Sequence, residues 1–181
     1  SGKSCTFSEV AGLSDGFAEY LSEKGVEPGD RVVLMLTPSV ECICMTFALF
    51  KIGATVILID PGMGYKNLLR CIDGVSPTIF IVIPKACLFK SIFKKHFSSI
   101  EKTFCCGRSF GLFGGDFRRK ITKKQSQEFP IYQPENNDLA AIIFTTGSTG
   151  PPKGVRYEHS IFEAQLQHIR DYYQITSEDI D

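Results

Sequence analysis

Three strand-length segments of this chain are apolar on both faces. Residues 54–59, 78–83 and 139–144 show no alternation of polar and apolar side chains, and helical patterns lie between them. A strand with two apolar faces has to be covered on both sides, as happens in parallel sheets flanked by helices. The sequence therefore predicts an α/β fold with a mostly parallel sheet and helices on both faces.

The helical patterns have recognisable ends. Thr6 and Glu9 fit a capping box, and the helix that follows is expected to end at Gly25. Residues 40–52 are apolar on nearly every face, which predicts a buried helix ended by Gly53. Three further elements are predicted: a strand over 31–36 and helices over 65–72 and 88–97.

A loop rich in glycine and hydroxyl groups follows the last apolar segment. Residues 145–155 read TTGSTGPPKGV, with four hydroxyls, three glycines and one lysine. Such a loop offers backbone N–H groups, hydroxyls and a positive charge to the phosphates of a nucleotide. Ser160 and Glu163 fit a capping box, so a helix is expected directly after the loop. The spacing matches neither a Walker loop nor a dinucleotide fingerprint, and a flexible connection is the alternative.

The loop resembles the signature phosphate loop of the adenylate-forming superfamily, which contains acyl-CoA synthetases, peptide-synthetase adenylation domains and luciferases. Residues 21–32 and 50–61 are similar to two further core motifs of that superfamily, in the same order. The resemblance extends over nearly the whole chain. Three segments are also similar to the branch of fatty-acyl-CoA-ligase-like proteins and olefin-pathway β-lactone synthetases: residues 60–71, 83–86 and 154–173.

This resemblance implies ATP-dependent activation of a carboxylic acid, in this branch a fatty or hydroxy-fatty acid, as an acyl-adenylate. Pyrophosphate leaves, Mg²⁺ accompanies ATP, and a thioester with CoA or a β-lactone follows. The alternatives are an amino-acid adenylation domain that feeds a carrier protein, and a nucleotide-binding module without catalysis. The resemblance assigns eight residues to the phosphates: Thr145, Thr146, Gly147, Ser148, Thr149, Gly150, Lys153 and Gly154.

Members of the superfamily continue well beyond the helix after the loop. The resemblance therefore implies that residues 1–181 are one α/β domain from the N-terminal part of a longer enzyme. Residues 145–155 would be its phosphate loop, and residues 107–137, which show no period, an irregular excursion. Catalytic residues and most Mg²⁺ ligands are expected outside this chain, which alone is predicted to be inactive.

The composition of the chain argues against several other functions. Lys plus Arg and Asp plus Glu each number 20, so no net charge favours nucleic acid, and the basic run 118–124 is predicted to be a solvated face. The longest apolar run, 42–50, is too short for a membrane span. The seven cysteines include no Cys-x-x-Cys pair, which indicates structural thiols, no metal site and a reducing cytoplasm.

Two histidines and one aspartate lie close to the expected site or its helix. His159, just before the expected helix, is predicted to be exposed, with a position that faces the nucleotide as the alternative. His168 is predicted to be an ordinary surface or packing residue. Asp60 is predicted to form a structural Asp-Pro turn. The loops after Ile59 and Phe144 are expected at one edge of the sheet, where ligands bind in open α/β folds.

Overall fold

The computed structural model describes residues 5–107, 116, 121, 128–135, 137–145 and 151–176 of the chain. Five α-helices and six strands lie within them. In chain order they are α1 Phe7–Glu23, β1 Arg31–Met35, α2 Val40–Ile52, β2 Thr55–Leu58, α3 Tyr65–Val75, β3 Ile79–Val82, α4 Pro84–Ile92, β4 Lys102–Cys105, β5 Leu139–Thr145, β6 Lys153–Glu158 and α5 His159–Tyr173. Two short 3₁₀ turns cover Pro61–Met63 and Lys94–Phe97.

The six strands form one sheet in the order β4-β3-β1-β2-β5-β6. The first five are parallel, and β6 runs antiparallel to β5. The mostly parallel sheet predicted from the apolar segments is confirmed. The chain first moves outward from β1 to β2 and then returns to the other side of β1 for β3. The topological switch point of the sheet therefore lies between β1 and β3.

Helices cover both faces of the sheet. On one face, α1 and α2 pack against side chains such as Val32, with Phe17 and Leu49 fully buried between them. On the other face, α3 and α4 pack against side chains such as Val33, with Ile72 fully buried. Alternate residues of β1 point into different layers, so both faces of the strand had to be apolar.

The predicted helix ends are confirmed at α1 and α2. The backbone N–H of Glu9 donates to Thr6 Oγ1 at 3.2 Å, and the N–H of Thr6 donates to Glu9 Oε2 at 2.8 Å. Gly25 follows α1 with φ +77°, and Gly53 ends α2 with φ +85°. Both glycines adopt the left-handed backbone conformation, which is unfavourable for residues that carry a Cβ.

Two helix predictions need correction. The helix over 40–52 has the predicted bounds, but it is not buried on all sides, because Ile43 and Phe47 are 53% and 46% exposed. The sheet and α1 cover α2 only in part. The helix predicted over 88–97 begins earlier, at Pro84, whose fixed φ suits a first turn, and ends at Ile92. Phe97 is buried and belongs to the separate 3₁₀ turn over Lys94–Phe97.

The sequence patterns did not predict β4 and β6. Both are edge strands, and neither contains the continuous apolar run that marked the central strands. Within the expected excursion, residues 128–135 form neither helix nor strand. The basic side chains of Arg118, Arg119, Lys120, Lys123 and Lys124 lie outside the described residues.

Candidate nucleotide-phosphate site

The predicted phosphate loop closes a β-hairpin. Strands β5 and β6 are antiparallel, and Thr145 lies opposite Lys153, so the residues between them connect the two strands. The side chains of Thr145 and Lys153 are exposed where the strands meet the loop. Five of the predicted phosphate ligands lie outside the described residues: Thr146, Gly147, Ser148, Thr149 and Gly150.

The helix after the loop does not begin where the sequence predicted. The chain continues as β6 up to Glu158, which is the N-cap of α5, and no side chain caps the helix. The capping box of Ser160 and Glu163 is therefore wrong, because both residues already lie inside the helix. The order is strand, loop, strand and helix.

Strand β6 alternates between the two layers of the molecule. Tyr157 packs in the layer of α1 and α2, and its ring stacks on Phe162 with 5.4 Å between the centroids. Gly154 lies opposite Phe144, and a Cβ at Gly154 would be 3.1 Å from the Phe144 ring and 3.2 Å from Ile142. This contact is tighter than most, so Gly154 has a packing reason to be glycine.

The loop emerges at the carboxyl edge of the parallel sheet. Strands β2 and β5 are parallel neighbours with Leu58 opposite Ile143, so the segments that follow them leave the sheet at the same edge, as predicted. A cavity of about 800 Å³ lies at this edge, where β1, β2, β3 and β5 end. Its wall is mostly apolar and includes Met35, Ile83 and Phe144. Open α/β sheets bind ligands at this edge.

Asp60 follows β2 at the same edge. Its carboxylate accepts a hydrogen bond of 2.7 Å from the backbone N–H of Gly62 and caps the 3₁₀ turn over Pro61–Met63. The predicted structural Asp-Pro turn is confirmed. Asp60 also contributes to the wall of the cavity.

His159 is more buried than predicted. It is the first residue of α5, its ring meets Phe50 edge-on with 6.0 Å between centroids, and its Nε2 is buried. Among the described residues Nε2 has no hydrogen-bond partner. Burial lowers the pKa of His159, and the nearby Asp138 and Glu163 carboxylates oppose this shift in part. His168 is exposed on α5, as predicted.

The cysteines are free thiols. Cys44, Cys71, Cys87, Cys105 and Cys106 are buried, Cys42 is half-buried and Cys5 is exposed. Burial, with the neighbouring Cys105, raises the pKa of Cys87 to about 12, so its thiol is protonated near neutral pH. Within the described ranges no group of three or more His, Cys, Asp or Glu side chains could hold a metal ion.

Comparison with known proteins identifies the family. Residues 1–180 match the family model of AMP-binding enzymes. The chain belongs to this family. It is 34% identical over 176 residues to an olefin beta-lactone synthetase of Stenotrophomonas maltophilia, covering 97% of this chain and 32% of that protein. It is 32% identical over 161 residues to the nonribosomal peptide synthetase atnA of Emericella nidulans, covering 88% of this chain and 2% of that protein.

Solved structures share this fold. ATP-bound MatB from Rhodopseudomonas palustris superposes with a TM-score of 0.78 at 23% identity, covering 98% of this chain and 34% of that protein. This chain thus spans about a third of the length of that structure and of the bacterial relative. No helix in the described part of the chain is both long and apolar enough to cross a membrane.

Proposed function

We propose that this chain supplies the nucleotide-phosphate loop of a longer enzyme that uses ATP to activate a carboxylic acid as an acyl-adenylate. The observation that carries the proposal is the β5–β6 hairpin. It presents Thr145 and Lys153 at the start and end of a glycine- and hydroxyl-rich loop, at the carboxyl edge of a parallel sheet. Membership of the AMP-binding family supports the nucleotide as the ligand.

In this reaction a carboxylate oxygen bonds to the α-phosphorus of ATP, and the bond from that phosphorus to the bridging β-oxygen breaks. Pyrophosphate leaves with the negative charge, so donors around the β- and γ-phosphates lower the barrier. The positive charge of Lys153 and the hydroxyl of Thr145 would serve this purpose. The other donors would be the hydroxyls of Thr146, Ser148 and Thr149, with Gly147, Gly150 and Gly154 allowing the backbone to approach.

The acid is proposed to be a fatty or hydroxy-fatty acid. The support is the olefin beta-lactone synthetase that shares 34% identity over nearly the whole chain. The adenylate would then give a thioester with CoA, or a β-lactone when a 3-hydroxyl of the same acid attacks it. The seven free thiols are compatible with a cytoplasmic protein. Because the chain spans about a third of its bacterial relative, we propose that it is inactive alone.

An amino acid is the second candidate substrate. The similarity to a nonribosomal peptide synthetase favours it, and the acceptor would then be a carrier protein. A nucleotide-binding module without catalysis is the third candidate. The lysine and the four hydroxyls of the loop argue against it, because binding alone does not require every donor.

Acid-dependent exchange of pyrophosphate into ATP by the longer protein tests the role of the loop. Replacing Lys153 with Ala removes a charge-assisted contact to phosphate, and we expect the exchange rate to fall roughly 10- to 100-fold. Lys95→Ala is the matched control, since Lys95 is an exposed lysine in the 3₁₀ turn before β4, and β4 lies at the opposite end of the strand order from β5 and β6. Equal exchange rates in the two variants would refute the assignment of Lys153.

A further inference from the structure

A second cavity lies on the face of the hairpin that Lys153 does not occupy. It has a volume of about 340 Å³ and lies between α3 and the β5–β6 hairpin. Three arginines line it, Arg31, Arg70 and Arg156, and no acidic residue is among the described residues of its wall. We propose that this cavity binds a small oligophosphate anion, at a position that Lys153 does not face.

The strand register places this cavity and Lys153 on opposite faces. Arg156 lies opposite Ile142, and Ile142 is buried in the layer of α3 and α4. Lys153 and Val155 alternate with Arg156, and Val155 lies opposite Ile143, which packs in the layer of α1 and α2. An anion beside Arg156 therefore does not occupy the position that Lys153 faces.

The three guanidinium groups lack a counter-charge in the described chain. The two ion pairs in the described part of the chain join Lys51 to Asp15 and His96 to Asp73, and neither includes an arginine. Nη1 of Arg31 donates to the carbonyl of Val75 at 2.9 Å, which leaves its other donors unassigned. All three arginines are exposed, so solvent weakens the repulsion between their like charges, and an anion between them would remove what remains.

The chemistry of the wall favours phosphate. Each guanidinium has a planar set of donors that matches two phosphate oxygens, and three such groups suit an anion with several charges. A volume of about 340 Å³ is at the small end of the roughly 300–1,000 Å³ usual for ligand sites, which suits a compact anion. Pro151, Pro152 and Gly154 also line the cavity, so the bound anion would contact the final part of the phosphate loop from the face opposite to Lys153.

The test is calorimetric titration of the 181-residue chain with inorganic pyrophosphate at low salt and without Mg²⁺. We expect Arg70→Gln and Arg156→Gln each to weaken binding about tenfold, because each removes a charge-assisted pair of hydrogen bonds. Arg170→Gln, on the exposed side of α5, is the matched control and should bind like the unsubstituted chain. Arg70→Lys keeps the positive charge but loses the planar set of donors, so its affinity for pyrophosphate should lie between those of Arg70→Gln and the unsubstituted chain.

A second arm separates this site from the position that Lys153 faces. In the Lys153→Ala chain, pyrophosphate binding should still depend on Arg70 and Arg156. Binding that is lost with Lys153 and indifferent to both arginines would overturn this site and leave the proposed function standing. Absence of binding by the folded chain would also overturn it. A glutamate-rich peptide that binds through the arginines when pyrophosphate does not would assign the cavity to an acidic segment instead, which contradicts the proposal.

Discussion

Gly53 ends α2 in a conformation and a space that exclude a side chain. Its φ is +85°, and a Cβ at this position would lie 2.5 Å from the ring of Tyr132. We expect Gly53→Ala to lower the free energy of unfolding by about 1–3 kcal/mol from backbone strain alone, with the ring contact adding to this loss. Urea denaturation measures the change.

A second substitution separates the two causes. In the Gly53→Ala chain, Tyr132→Ala relieves the ring contact but not the strain at φ +85°. The loss caused by Gly53→Ala should therefore be smaller when measured in the Tyr132→Ala background. Equal stability of Gly53→Ala and the unsubstituted chain would contradict the account of this helix end.

His159 should make stability depend on pH. Burial lowers its pKa in the folded chain, whereas the unfolded chain keeps the ordinary value of about 6.5. The unfolded state therefore binds more protons once the pH falls below about 6.5, and stability falls with it. We expect the loss of unfolding free energy between pH 7.5 and 5.5 to be smaller in His159→Phe. His168→Gln, at an exposed position, is the control, and identical pH profiles for all three chains would refute the prediction.

Residue-scale features were predictable where their causes are local. The capping box of Thr6 and Glu9 and the glycine at position 53 depend on a few neighbouring residues. The burial of His159 depends on Phe50, which is distant in sequence and adjacent only in the fold. A single sequence contains no signal for such a contact.

At the scale of elements, an ion pair joins α1 to α2. Lys51 Nζ lies 2.5 Å from Asp15 Oδ1, and the two side chains are 19% and 10% exposed. The same carboxylate oxygen accepts from the backbone N–H of Phe129 at 3.2 Å. Replacing Lys51 with Met leaves a largely buried carboxylate without its cation, and we expect a loss of about 3–5 kcal/mol of unfolding free energy.

Thermal and urea unfolding measure this loss, and a double substitution provides the control. Asp15→Leu in the Lys51→Met chain removes the buried charge and should restore part of the stability. A Lys51→Met chain that is as stable as the original would show that the ion pair contributes little to the packing of α1 on α2.

Elements were predictable in proportion to how completely they are buried. The central strands appear in the sequence as apolar runs because neighbours cover both of their faces. The apolar run of α2 predicted more burial than the sheet and α1 provide. Strand β6 has the sequence KGVRYE, and its pairing with β5 rather than its own hydrophobicity makes it a strand. The capping-box pattern of Ser160 predicted that the next helix begins after Ser160, whereas α5 already begins at His159, directly after β6.

At the scale of the whole molecule, the sheet explains where the candidate site lies. Parallel strands place their carboxyl ends at one edge, and the loop after β5 leaves the sheet there beside the large apolar cavity. The position of the loop at this edge was predictable from the sequence, because apolar strands that alternate with helices permit few other arrangements. The antiparallel return of the chain through β6 was not predictable in this way. This return creates the arginine-lined cavity on the face of the hairpin opposite to Lys153.

The most direct test of the proposed activity is pyrophosphate exchange into ATP by the longer protein, with fatty acids, 2-alkyl-3-hydroxy acids and amino acids offered separately. We predict exchange that depends on a fatty or hydroxy-fatty acid and is absent without acid. Exchange with amino acids alone would select the second candidate. A folded protein that binds ATP but exchanges no pyrophosphate with any acid would contradict the central claim that this chain serves carboxylate activation.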